Sequence, residues 1–131
     1  MNMTELQLSS NTAKVSDFLQ TISAQPRLEI ILTIGANEAC VCHLEAFLGQ
    51  RQAYISQHLM ALREAGVLTA RREGRFIFYR LADLELLDLI RHAARLAGVS
   101  IDSLGVSEQI SSPGCECPKC MVDAPALITL V

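Results

Sequence analysis

Five cysteines carry the most distinctive chemistry in this sequence. Two form Cys40-Val41-Cys42, and three form Cys115-Glu116-Cys117-Pro118-Lys119-Cys120. Thiolates are soft donors and select soft ions. Three suit trigonal arsenite or lead, and four suit cadmium or zinc. In a regular helix, residues two apart point nearly opposite ways and cannot share an ion. At a helix start they can, and Asn37, a capping residue type, places Cys40 and Cys42 there. The positive end of the helix dipole also favours thiolate. Around the other three, Pro113, Gly114 and Pro118 impose an irregular loop in which several sulfurs can converge. About eighteen residues separate Ala97 from Cys115. An extended chain of that length reaches roughly 60 Å at most. The tail can therefore meet the Cys40–Cys42 pair of its own chain or of a second copy, or form a site by itself. The plain alternatives are packing residues at 40 and 42 and a structural zinc knuckle in the tail.

A second group of residues suits a different partner. The chain has a formal net charge of −3. Residues 50–80 nonetheless hold six arginines (Arg51, Arg63, Arg71, Arg72, Arg75 and Arg80) against Glu64 and Glu73. A basic segment on an acidic body is an electrostatic footprint aimed at one face. Within it, Gln52, Tyr54, Ser56 and Gln57 alternate with the apolar Ile55 and Leu59. Gln makes paired hydrogen bonds to adenine in a major groove. Arg51 stands where it can meet guanine or phosphate, and Arg71, Arg72 and Arg75 crowd a turn suited to phosphate or a narrow minor groove.

The elements that must position these residues follow from periodicity. Val15, Phe18, Leu19 and Ile22 predict a helix from Thr12 to Ser23, after a polar and frayed start. Pro26 opens a second helix with Leu28, Ile31 and Leu32, which Gly35 ends. A third, capped by Asn37, carries Leu44, Phe47 and Leu48 and stops at Gly49. A fourth carries Ile55, Leu59 and Leu62 and closes at Ala65-Gly66. The period then changes to two. Val67–Arg72 and Arg75–Leu81 read as strands joined at Glu73-Gly74. Asp83 caps a last helix to about Ala97, apolar on more than one side, which suits a seam between two copies. Short helix, glycine turn, longer helix and basic hairpin together make a winged helix-turn-helix pattern, in a mainly α fold with a small β-hairpin wing.

Tyr54-Ile55-Ser56-Gln57-His58-Leu59, Leu62, Ala65-Gly66-Val67-Leu68, Arg72-Glu73-Gly74-Arg75 and Tyr79 resemble the ArsR/SmtB family of metal-sensing repressors. The likeness runs from about Val15 to Ala97. Glu38-Ala39-Cys40-Val41-Cys42-His43-Leu44 looks like the Cys-x-Cys box of its arsenic-, cadmium- and lead-sensing members, with His43 in place of Asp. The resemblance implies a homodimer, an operator in double-stranded DNA with two-fold symmetry, and repression relieved by an inducer ion. It also implies that Cys40 and Cys42 are ligands. Such members take further thiolates from an N-terminal arm. No cysteine precedes Cys40 here, so Cys115, Cys117 and Cys120 are expected to supply them. His58 matches the family's recurrent histidine and is expected to pack between helices or touch phosphate. His43 is expected to face solvent or DNA. Ala53 and Tyr54 depart from the family pattern and bear on which operator is read. The family's other sensing site, on the last helix, is not expected. Asp88 and His92 form one pair, but Arg95 and Gly98 stand where the second belongs.

The expected organisation is a flexible N-terminus over 1–12, a DNA-binding and dimerisation domain over 13–98 and a cysteine-containing tail over 99–131. No signal peptide or bilayer-spanning run is visible, so a cytoplasmic protein with reduced thiols is expected. No nucleophile–base pair, phosphate loop or paired carboxylates point to an enzyme. Two rivals share the same residues. One is a thiol redox repressor of the same fold. The other is a metal-buffering or protein-interaction module with a degenerate helix-turn-helix.

Overall fold

The computed structural model describes residues 2–104. The tail beyond, with Cys115, Cys117 and Cys120 and the apolar C-terminus, lies outside the described residues. Helix α1 (Met3–Ser23) starts nine residues before the periodicity signal. Its first turn is closed by a reciprocal cap: Asn2 Oδ1 accepts the Glu5 N–H at 2.8 Å, and Glu5 Oε2 accepts the Asn2 N–H at 2.9 Å. No breaker follows until the extended Ala24, ahead of Pro26. Of its residues, Ile22 alone is buried, while Leu6, Leu8, Val15, Phe18 and Leu19 remain exposed.

Helix α2 (Gln25–Ile34) begins on Pro26 and ends at Gly35, whose φ of 57° only glycine adopts freely. It buries Ile30, Ile31 and Ile34. The chain then does something the sequence reading missed. Asn37 does not cap the next helix. The segment stays extended and forms a two-residue strand, β1 (Ala39–Cys40). Cys40 is itself the residue that precedes the first turn of α3 (Val41–Leu48).

Gly49 (φ 64°) turns the chain from α3 into α4 (Gln52–Glu64). Ile55, Leu59 and Leu62 on one face of α4 are wholly buried, which fixes its opposite face outward. Strands β2 (Leu68–Glu73) and β3 (Phe76–Leu81) form the hairpin, and β1 adds to its far edge in the order β1-β3-β2, all antiparallel. Helix α5 (Glu85–Leu96) follows, with Asp83 Oδ1 accepting the Glu85 N–H at 2.9 Å, and a short 3-10 turn spans Ile101–Leu104. The core joins Ile30, Ile31, Leu44, Ile55, Leu59 and Leu68 with residues of every other helix. The molecule is thus mainly helical with a small sheet, a winged helix-turn-helix.

Candidate functional site

The thiol pair sits where strand becomes helix. Cys40 is extended (φ −86°, ψ 167°) and Cys42 is in the first turn of α3. That change of backbone removes the opposed directions of a regular helix, and the two sulfurs come to 2.8 Å. Cys40 is buried against Phe78, and Cys42 and Phe76 pack on the same cluster. Cys42 is engaged in a disulfide. The 2.8 Å approach is not that bond, since bonded sulfurs lie near 2.05 Å. A cleft of about 370 Å³ opens beside the sulfurs, lined by Cys40, Cys42, Glu45, Gln52, Arg75 and Phe76. It therefore touches the thiols, the first residue of α4 and the wing. Among the described residues, no group of three or more His, Cys, Asp or Glu side chains is placed to hold a metal ion.

His43 corrects an expectation. Its side chain is buried rather than turned to solvent or DNA, and its ring stacks on Phe47 at 4.7 Å. As the third residue of α3 it falls on the inward face beside Leu44. An imidazole can fill that place because one side of the ring is covered by another aromatic.

The outward face of α4 presents Gln52, Tyr54 and Gln57, with Ser56 half-buried and Arg51 exposed just before the first turn. A helix with one face locked in a core and the other studded with amide and hydroxyl groups fits a major groove. His58 points elsewhere. Its Nδ1 accepts the Arg27 Nε–H at 3.3 Å, and Arg27 also donates to the Thr21 carbonyl at 3.1 Å. The Tyr54 ring meets His58 edge-on at 4.8 Å. Of the two expected roles, this geometry matches helix packing: His58 ties α4 to the junction of α1 and α2.

Burial first, and the positive charge of Arg27 second, push the His58 pKa below its ordinary 6.5. The fold therefore prefers neutral imidazole, whose Nδ1 can accept from Arg27. The sign follows from linkage. This contribution is fully present above pH 6.5 and is lost as pH falls through the lowered folded value. The wild-type melting temperature is expected to drop on acidification below that point by more than that of His58→Gln. Parallel melting curves from pH 8 to pH 5 check this, and equal slopes would count against it.

In the wing, Arg72 and Arg75 are exposed, and the Arg75 guanidinium lies 5.3 Å from the Phe76 ring centroid. Gly74 (φ 62°) makes the tight turn between the strands. Arg71 is engaged within the protein. Its Nε donates to Glu38 Oε2 at 2.6 Å, one terminal nitrogen to Glu38 Oε1 at 3.2 Å, and the other to Glu73 Oε2 at 3.1 Å. Those carboxylates, Glu38 before Glu73, raise its pKa further above an already high value. As a contact to phosphate it must first exchange these partners.

The profile of the bacterial regulatory protein arsR family matches residues 25–70, which run from α2 into the wing. The biofilm growth-associated repressor of Agrobacterium fabrum (strain C58) is 40% identical over 83 residues, covering 63% of this chain and 71% of that protein. The chain belongs to the ArsR family. The arsenical resistance operon repressor of Escherichia coli (strain K12) is 42% identical over 62 residues, covering 47% of this chain and 53% of that protein. The chain spans 61% of the length of the SmtB repressor of Mycobacterium tuberculosis. Among solved structures, reduced HlyU from Vibrio cholerae superposes with a TM-score of 0.62 at 32% identity, covering 69% of this chain and 95% of that one.

On helix α5 of this ArsR-family chain, Asp88 is paired with a residue other than His92. Asp88 accepts from Arg91 at 2.9 Å, and Asp88 and His92 are both exposed. Arg91 is three residues on and its long side chain reaches the carboxylate first. Glu38 is the residue that sequence reasoning passed over. It sits in the family-like box, but only the register of β1 shows what it faces.

Proposed function

We propose that this protein is a homodimeric repressor whose grip on operator DNA is released by capture of a thiophilic ion at Cys40 and Cys42. The observation that carries the reading is the meeting of two sulfurs at the cap of α3, the helix that feeds directly into α4. Two soft donors at a helix start suit arsenite, cadmium, lead or zinc. The similarity to an arsenical resistance operon repressor supports the choice of ion class. A pair does not complete a trigonal or tetrahedral set, so Cys115, Cys117 and Cys120 are assigned the remaining positions. On this reading residues 13–98 form the DNA-binding and dimerisation domain and 99–131 the ligand-bearing tail.

The DNA side of the reading assigns base edges to Gln52, Tyr54, Ser56 and Gln57, and phosphate to Arg51, Arg72 and Arg75, with Arg71 joining after exchange from Glu38. Each copy offers one α4, and two copies match a two-fold operator. An ion held by both sulfurs needs them about 3.8 Å apart, wider than the present 2.8 Å, so its capture changes the cap of α3 and hence its approach to α4. Coupling of about 1–3 kcal/mol changes DNA affinity 5–150-fold.

One observation favours a second reading, in which thiol oxidation is the switch: Cys42 is disulfide-bonded. The two separate in one titration. Reduced protein on the DNA upstream of its own gene is followed by fluorescence anisotropy while arsenite, cadmium, lead or zinc is added, and then peroxide. Release by a soft ion at stoichiometric amounts supports the ion reading. Release by peroxide alone transfers the function to oxidation.

A further inference from the structure

A closed circuit of contacts runs around Cys40. The register of the sheet sets Cys40 of β1, Phe78 of β3 and Arg71 of β2 in one row. Directly opposed residues share a face of the sheet and interact. Phe78 is wholly buried and packs on Cys40. The Arg71 guanidinium lies 4.6 Å from the centroid of that same ring. Arg71 then reaches Glu38 through two parallel hydrogen bonds, and Glu38 is two residues before Cys40 in the chain. Strand β3 lies between β1 and β2, so this ion pair ties the residue just before β1 to β2 across the width of the sheet.

We propose that Glu38 is the positioning residue that couples the thiol pair to the wing. The inference rests on the reading that Cys40 and Cys42 sense and that the wing touches DNA. Its physical basis is the shortness of β1. A two-residue strand has little ladder of its own to hold it, so whatever moves Cys40 moves Glu38 with it. The forked geometry of a guanidinium on a carboxylate transmits position as well as charge. The Glu38 side chain is the more buried partner, at 20% exposed against 49% for Arg71. The anchored end is therefore on the thiol side and the mobile end on the wing. Arg72 and Glu73 follow Arg71 directly and lead into the turn at Gly74, so a shift of Arg71 carries the hairpin tip relative to α4. The same pair also sets how many wing cations are offered to phosphate, because Arg71 is shared between Glu38 and Glu73.

The test uses the full-length reduced protein, its operator and cadmium. Two quantities are measured: the ratio of operator Kd with and without cadmium, and the cadmium–thiolate absorbance. Wild type is expected to show a ratio of about 5–150. In Glu38→Gln and in Arg71→Gln the ratio is expected to fall close to unity while the absorbance stays unchanged. The double variant is expected to be no worse than either single one, because the two residues act as one unit. Exchange of the charges, Glu38→Arg with Arg71→Glu, is expected to restore part of the ratio, which a loss of general stability would not allow. If Glu38→Gln fails to bind operator even without cadmium, Glu38→Asp carries the same expectation, since the shorter carboxylate no longer reaches both guanidinium nitrogens while the charge is kept. A wild-type ratio retained in full by the single variants overturns the coupling role of Glu38 alone. A wild-type protein that binds cadmium through its thiols with no change in operator affinity overturns the sensing reading, and this inference with it.

Discussion

Cys40→Ser and Cys42→Ser proteins are expected to hold operator DNA as tightly as the wild-type chain and to keep holding it when cadmium or arsenite is added. The expected loss is the whole response, about 5–150-fold in Kd falling to none. Serine nearly preserves side-chain volume, so the approach of β1 to β3 survives. Its hydroxyl is a hard, neutral donor that does not replace a thiolate on a soft ion. Cys40 is 3% exposed, so its replacement places a hydroxyl in an apolar cluster beside Phe78. That costs about 1–3 kcal/mol of stability if no partner is found. A melting curve separates this cost from the loss of response. Cys42 lies at the half-buried rim of the same cluster, and its replacement is expected to be milder on stability and equally severe on release. Operator anisotropy during cadmium titration checks both. A Cys42→Ser protein that still lets go at the wild-type cadmium concentration would remove the thiol pair from the mechanism. One that loses only its response to peroxide would make oxidation the signal.

Much of the scaffold was legible because its signals are local. Gly35, Gly49, Gly66 and Gly74 all adopt positive φ, and all four mark the chain turns expected at those positions. Ile55, Leu59 and Leu62 repeat at helical spacing and are all fully buried, so the outward residues of α4 followed directly. The early start of α1 was hidden because the residues before Thr12 are exposed on every side and leave no apolar period to read. Strand β1 was hidden for a different reason. Two residues cannot display an alternation, and their partner Phe78–Tyr79 lies far along the chain. Everything that depends on that pairing was hidden with it: the packing of Cys40 on Phe78 and the reach of Arg71 to Glu38. The site's residue types were therefore readable, while the contacts that tie thiols to wing required a non-local register.

Leu89→Asp is expected to yield a folded monomer that has lost about 10²–10⁴ in affinity for the full operator, the range by which avidity can exceed single-module binding. Helix α5 is apolar on two sides. Leu86, Leu87, Ile90 and Ala94 are buried inward, while Leu89 is 40% and Leu96 84% exposed in the single chain. Leu89 lines an apolar cleft of about 370 Å³ with Leu19 and Leu28 from α1 and α2, and with Ala93 and Ala97 further along. Together with the uncovered Phe18, these side chains make an apolar surface of the kind that marks an association site. In a two-fold dimer the same patch meets itself, so one substitution introduces two carboxylates into the seam. Neither can be buried there without a partner. Because Leu89 is already partly exposed, the monomer's own core is little disturbed, and an unchanged circular dichroism spectrum is expected. Sedimentation and operator titration of the same sample provide the check. Each monomer still carries one α4 and one wing, so weak binding to a half-site is expected to remain, along with cadmium capture wherever both cysteines belong to one chain. A Leu89→Asp protein that sediments as a dimer with wild-type affinity places the seam elsewhere. One that is monomeric and still binds the full operator at wild-type strength shows that a single reading helix is enough.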